Sequence, residues 1–162
     1  MINKDSDLKD AAAFWDNGQP LQAGRIIFES LTAEKRPKWA ARLLDIVVEW
    51  SGSQVAPIEQ LRNIAMDRPK WPFAHKAFSM IRDATLELER ERNRSNDQAF
   101  LLSQLYLAEN VAKVIYNATN PPDEFDEDSG WWIARCLRDC VDRAHNEEFA
   151  KAAWIALCTV PE

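Results

Sequence analysis

Glycine is scarce in this sequence, with four residues in a chain of 162. The four are widely spread, which excludes the glycine-rich loops that hold the phosphates of mononucleotides and dinucleotides. The sequence also lacks a Gly-x-Ser-x-Gly elbow, a His-Glu-x-x-His pair and the protein-kinase motifs. Because glycine serves tight turns and the seven Trp fill much core volume, the composition favours helices with short connections over a β-rich fold.

Long apolar runs and surplus basic charge are also missing. No window approaches the ~20 apolar residues of a membrane-spanning helix, and no apolar signal stretch follows Met1, so we expect a cytoplasmic protein that does not enter a membrane. The net charge of −6 disfavours nucleic acid as a partner, because that binding needs clustered Lys and Arg. Three cysteines without a Cys-x-x-Cys pair indicate reduced thiols.

Proline and glycine divide the chain into about eight predicted helices. Pro20 and Pro37 precede apolar patterns of helical period, whereas Gly18 and Gly52 follow such patterns. Residues 1–162 are therefore predicted to form a single all-α domain of antiparallel helical hairpins, packed as a compact bundle or a short α-solenoid. The predicted helices cover about residues 7–17, 20–32, 37–50, 57–66, 72–93, 95–118, 130–144 and 146–158.

The first two predicted helices carry small and apolar residues at a recognisable spacing around a glycine. The positions are Ala11, Phe14, Gly18, Ala23, Ile27, Leu31 and Pro37. This order resembles that of a tetratricopeptide helical hairpin, although Pro37 comes two residues late and no second copy follows at the family's 34-residue period. The resemblance implies an antiparallel α-hairpin near the start of the chain and a function in binding peptides or proteins.

An acidic segment over about residues 119–129 is predicted to form a loop before the seventh helix. Its acids fit a calcium-binding EF-hand loop poorly, since the glycine is one position off and Arg135 stands where a bidentate Glu belongs. Acids before a helix N-terminus complement the helix dipole, and Asp128 or Ser129 is the expected cap.

Helical spacing separates the two adjacent tryptophans of the seventh helix. Trp132 falls on the apolar line with Ile133, and Trp131 falls on the polar side with Arg135. We therefore expect Trp132 to face the core and Trp131 to be an exposed contact residue, unless Arg135 or the acidic loop covers it. The predicted partner-binding residues are Trp131, Arg135, Phe125, Asp126 and Asp128.

The sixth helix carries a polar line on an otherwise apolar sequence. Ser103, Tyr106, Asn110, Lys113 and Asn117 recur at spacings of three and four, with Glu109 beside Lys113. Such a line is either a solvated face or, if half-buried, a set of groups that satisfy one another or a ligand. The residues of this candidate pocket are Tyr106, Glu109, Asn110, Lys113 and Asn117.

The cysteines and histidines give no chemical signature. Cys136 and Cys140 lie four apart on one helix, close to His145, which is one arrangement for a metal. However, both thiols share the apolar face of that helix, and free Cys packs as a small hydrophobe. Neither His75 nor His145 has a nucleophile or an acid in place nearby in the sequence. We therefore predict no catalytic set, no metal site and no cofactor.

These observations favour a non-enzymatic helical module that binds a protein or peptide, for example a basic one, as an adaptor, a regulator or a small antagonist. The alternative is a small-molecule-binding protein or an enzyme, with its pocket around Glu109 to Lys113. A third hypothesis is a homo-oligomer whose exposed aromatic residues bury one another.

Overall fold

The computed structural model describes residues 5–52, 55–119 and 128–162. These residues contain eight α-helices, one 3₁₀ helix at Arg68–Phe73 and no strand, which confirms the predicted all-α class. None of these helices combines the length and the apolar character that crossing a bilayer requires. The helices are α1 (Asp5–Asp16), α2 (Pro20–Ser30), α3 (Arg36–Ser51), α4 (Ala56–Ala65), α5 (Ala74–Glu89), α6 (Asn96–Asn117), α7 (Ser129–Ala144) and α8 (Glu147–Leu157).

Local sequence signals account for most of the helix starts. Proline occupies the first turn of α2, α3 and α4, where its missing N–H costs no hydrogen bond. The start of α6 is a capping box, in which Ser95 Oγ accepts from Gln98 N–H and Gln98 Oε1 accepts from Ser95 N–H. Asn146 Oδ1 accepts from Phe149 N–H and caps α8 in the same manner.

The fifth helix departs from its predicted bounds at both ends. Pro69 and Pro72 hold the chain in a 3₁₀ helix, and α5 begins only at Ala74. A proline inside an α-helix removes a hydrogen bond and clashes with the preceding turn, so the α-helical pattern cannot extend through Pro72. Phe73 is the last residue of the 3₁₀ helix, and its side chain is exposed.

The helices pack as a compact bundle around α6. This helix contacts both α5 and α7, and it also packs against α3. Helices from late in the chain return to early ones, since α7 packs against α2 and α8 packs against α3. In an open solenoid each repeat contacts only its neighbours, so these returning contacts identify a bundle.

Two glycines bring α2 and α7 into close contact. A Cβ atom at Gly24 would lie 2.6 Å from Ala134 Cβ and 2.8 Å from the backbone oxygen of Trp131. A Cβ atom at Gly130 would lie 2.3 to 2.4 Å from ring atoms of Phe28. Neither position has room for a side chain, so the spacing of these two helices depends on glycine.

One buried amide on α6 has no hydrogen-bonding partner among residues 5–52, 55–119 and 128–162. The Gln104 side chain is 1% exposed, and both its Nε2 and Oε1 atoms are unpaired within the described part of the chain. It lies one turn before Leu107 and Ala108 and two turns before Val111, which are all fully buried. Gln104 therefore occupies a position that packing alone would give to an apolar residue.

Candidate functional site

The structure reverses the expected roles of the two tryptophans of α7. Both side chains are half-buried, but it is Trp131 that packs against the core, with the Arg25 guanidinium 4.8 Å from its ring centroid. Trp132 packs outside the core, and the prediction that it faces inward is wrong. The reason is α2, which reaches the backbone of Trp131 through Gly24 and covers the first turn of α7 from that side.

Trp132 forms a small polar cluster with two of the predicted partner-binding residues. Its Nε1 donates to Asp128 Oδ2 at 3.1 Å, and the Arg135 guanidinium lies 4.9 Å from its ring centroid. Asp128 occupies the N-cap position of α7 as expected, but its carboxylate binds this indole and makes no capping hydrogen bond. Phe125 and Asp126, with most of the acidic segment, lie outside the described residues.

These positions give a direct comparison of the two tryptophans. Trp131→Ala is expected to lower the free energy of unfolding by roughly 2 kcal/mol, less than a fully buried Trp because the ring is half-buried. Trp132→Ala removes one hydrogen bond and one cation–π contact, together about 1 kcal/mol. Urea unfolding of both variants measures the difference, and a larger loss for Trp132→Ala would contradict the packing described here.

Most side chains of the polar line on α6 bind other residues of this chain. Glu109 is 6% exposed and accepts hydrogen bonds from Arg82 Nη1 at 3.1 Å and from Thr85 Oγ1 at 3.2 Å. Burial raises the pKa of the Glu109 carboxyl above its usual value, against the opposing effect of Arg82. Tyr106 donates its hydroxyl to the Glu89 carboxylate, and burial raises the pKa of Tyr106 to about 12.

The other predicted pocket residues follow the same pattern. Asn110 Nδ2 donates to the backbone oxygen of Tyr106 at 3.0 Å, and Lys113 Nζ lies 5.5 Å from the ring centroid of Phe78. Asn117 is half-buried, and its Oδ1 atom is buried without a partner among the described residues. Of the five predicted pocket residues, only Tyr106 lines one of the cavities described below.

The thiols and imidazoles carry no reactive arrangement in the described residues. Cys136, Cys140 and Cys158 are free and buried, as expected for apolar packing, and burial raises the pKa of Cys136 and of Cys158 to about 12. The described part of the chain holds no cluster of three or more His, Cys, Asp or Glu side chains that fits a metal ion. His75 and His145 are both exposed.

A large groove that the sequence did not indicate lies between α3 and α8. It has a volume of about 970 Å³, and its apolar lining includes Trp39, Ile46, Trp50, Phe149 and Ile155. The two helices run antiparallel: Trp39 Nε1 donates to the backbone oxygen of Leu157 at 2.9 Å, and at the other end the Trp50 ring stacks on Phe149 with centroids 5.2 Å apart. Trp50 is 44% exposed and Ile155 is 57% exposed, so both side chains stand in the mouth of the groove.

Charged side chains lie along the rim of this groove. Glu49 and Glu148 each precede a member of the stacked Trp50–Phe149 pair, which places both carboxylates at the same end. Arg42 lies two turns earlier on α3, towards the other end. The groove is therefore apolar along its length, with Glu49 and Glu148 at one end and with Arg42 and Glu162 further along.

The segment with the tetratricopeptide-like spacing forms the helical pair α1 and α2, which pack against each other. Ala11 and Ala23 are fully buried, and Gly18 adopts a left-handed φ of 75° in the three-residue connection. The family resemblance itself stays a prediction. Comparison with protein-family models, with curated proteins and with solved structures finds nothing that matches this chain.

Proposed function

We propose that this chain is a non-enzymatic helical binding module whose α3–α8 groove takes an apolar segment of a partner protein. The observation that supports this is the exposure of Trp50 and Ile155 in the mouth of an apolar groove. Aromatic and aliphatic side chains in such settings are the usual anchors of protein interfaces. The contacts that already engage Glu109 and its neighbours on α6 give the alternative of an enzyme or small-molecule pocket less support.

The dimensions of the groove suit a helical partner. The stretch of α3 from Trp39 to Trp50 is roughly 16 Å long, which matches about three turns of an added helix. An amphipathic helix that lies in such a groove presents apolar side chains at spacings of three, four and seven residues. The α3–α8 contacts, Trp39 with Leu157 and Trp50 with Phe149, already fix the two helices relative to each other. Binding of a partner therefore costs little conformational entropy on this side of the interface.

The rim charges favour a partner segment that is basic at one end. Glu49 and Glu148 line the groove at the stacked Trp50–Phe149 pair, where a Lys or Arg of the partner would meet two carboxylates. The net charge of −6 on the whole chain would add to this attraction. The module is then an adaptor, a regulator or an antagonist of a partner that carries a basic, amphipathic helix.

The test uses a displayed library of amphipathic helical peptides, selected on the wild-type protein. Peptides that bind are expected to share apolar residues at helical spacing together with Lys or Arg. Ile155→Glu places a charge in the groove and should weaken their binding at least about thirtyfold, as loss of an interface anchor does. Met80→Glu is the matched control, because Met80 is a 46% exposed apolar residue of α5 that does not line the groove.

Two outcomes would contradict this proposal. Equal weakening of peptide binding by Ile155→Glu and Met80→Glu would indicate nonspecific attraction. Selected peptides without Lys or Arg would contradict the expected pairing with Glu49 and Glu148. Sedimentation of the protein alone tests the homo-oligomer hypothesis, since self-association abolished by Ile155→Glu would make a second copy the occupant of the groove.

A further inference from the structure

Three arginines line a second cavity, at the corner between α5, α6 and α7. It has a volume of about 440 Å³ and shares no lining residue with the α3–α8 groove. Arg92 and Arg94 belong to the connection between α5 and α6, and Arg143 belongs to the last turn of α7. These side chains come from two separate segments, so the fold is what brings them to one cavity.

Two of the three guanidinium groups are held in place by hydrogen bonds that leave most of their donors free. Arg94 Nη1 donates to backbone oxygens at the end of α5, the nearest being that of Glu91 at 2.9 Å. Arg143 Nε donates to Ser103 Oγ at 3.0 Å. A guanidinium carries five N–H donors, so both retain several, and neither they nor Arg92 forms an ion pair within the described residues.

The cavity is positive on an acidic protein. Asp139 is the carboxylate among the described residues that line it, against three guanidinium groups, which leaves a surplus of two positive charges. Glu89 is not part of the lining, although its carboxylate accepts a hydrogen bond from the hydroxyl of Tyr106, which is. Arg92, Arg94 and Arg143 are all exposed, so their charges are accessible to an anion that enters the cavity.

We infer that this cavity binds a phosphate monoester. A guanidinium matches a phosphate with paired N–H donors, and a monoester carries about −1.5 to −2 charge, which equals the surplus of the lining. A carboxylate has one charge and two oxygens and would leave most of the donors unused. Ala99 and Leu102 give the lining an apolar part for the organic group of the ester, and the volume falls in the range of small-ligand sites.

Phenyl phosphate is the probe for this site, titrated into the full chain and followed by amide chemical shifts and by calorimetry. The shifts are expected at residues 92–106 and 139–143. Arg92→Gln should weaken binding about tenfold, through the loss of charge-assisted hydrogen bonds. Arg92 makes no hydrogen bond within the described residues, so this change leaves the fold intact. Arg143→Gln should have the same effect and is a second, independent variant.

Arg90→Gln is the matched control, because Arg90 begins the same connection but does not line the cavity. Equal weakening by Arg90→Gln and Arg92→Gln, or benzoate binding as tightly as phenyl phosphate, would overturn the inference. So would the absence of shifts at millimolar phenyl phosphate. Ile155→Glu should not alter this binding, so a failure here is distinct from a failure at the groove.

The source of the phosphate is assigned by comparing free phosphoserine with phosphoserine inside a short peptide. Binding of the peptide at least about tenfold more tightly would assign the phosphate to a modified protein, since flanking residues then add contacts. Equal affinity would assign it to a small metabolite. Both results support the binding of a phosphate monoester in this cavity. If neither phosphoserine nor the phosphopeptide binds, the inference is contradicted.

Discussion

Gly130→Ala is expected to lower the free energy of unfolding by about 3 kcal/mol, the upper end of the usual cost of overpacking a core. On an exposed helix the same change stabilises by about 1 kcal/mol, because alanine is the better helix former. The sign is reversed here by the ring of Phe28, whose atoms would lie within 2.4 Å of the new Cβ. Chemical denaturation with urea measures the effect.

The Phe28 ring has little room to give way. The Arg36 guanidinium lies 4.3 Å from its centroid, and the Trp39 ring centroid lies 5.7 Å away. Arg36 is tied to the same residue, since its Nε donates to the Phe28 backbone oxygen at 3.3 Å. A methyl group at Gly130 therefore forces α2 and α7 apart and disturbs the core between them.

A second glycine separates this steric cost from backbone strain. No atom lies within 4 Å of a Cβ at Gly18, but its φ of 75° is unfavourable for alanine, so Gly18→Ala should cost about 1 kcal/mol by strain alone. In a Phe28→Leu background the cost of Gly130→Ala should fall to about 1 kcal/mol or less, because the smaller side chain relieves the clash. A Gly130→Ala protein as stable as wild type would contradict the close α2–α7 contact.

The helices were predictable because their signals are local. Pro20, the Ser95–Gln98 capping box and Asn146 each act within one turn, and the structure places a helix start at each. Pro72 was misread because proline is common in the first turn of an α-helix, whereas here it lies near the end of the 3₁₀ helix. Pro69, three residues earlier, is the proline that occupies the first turn of that 3₁₀ helix.

The candidate sites were less predictable because they depend on which helices meet. Adjacent residues on a helix differ by ~100°, so a broad apolar arc admits either Trp131 or Trp132, and the choice was made by α2 through Gly24. Most residues on the inner side of α3 are buried. Trp50 nevertheless stays 44% exposed, because the groove that it lines exists only where α8 returns to α3.

Replacement of the buried amide on α6 should have an effect of similar size and opposite sign. Gln104→Met is expected to raise the free energy of unfolding by about 2–3 kcal/mol, because transfer of an unpaired amide from water to a protein interior costs about that much. Methionine is unbranched and close to glutamine in length, so it fills the same space without a new clash. For a chain of this size the melting temperature should rise by roughly 6 °C.

The control for this prediction is a glutamine that water can reach. Gln60 is exposed on α4, and Gln60→Met should change stability by no more than about 0.5 kcal/mol, as surface substitutions usually do. The difference between the two changes in the free energy of unfolding measures the cost of burying the amide, because both variants replace the same amide with the same thioether on a helix. A loss of stability in Gln104→Met would contradict this prediction and would mean that the native amide is hydrogen-bonded. Replacing an unpaired amide by an apolar residue of equal size removes a cost, whereas replacing a hydrogen-bonded amide removes a stabilising interaction.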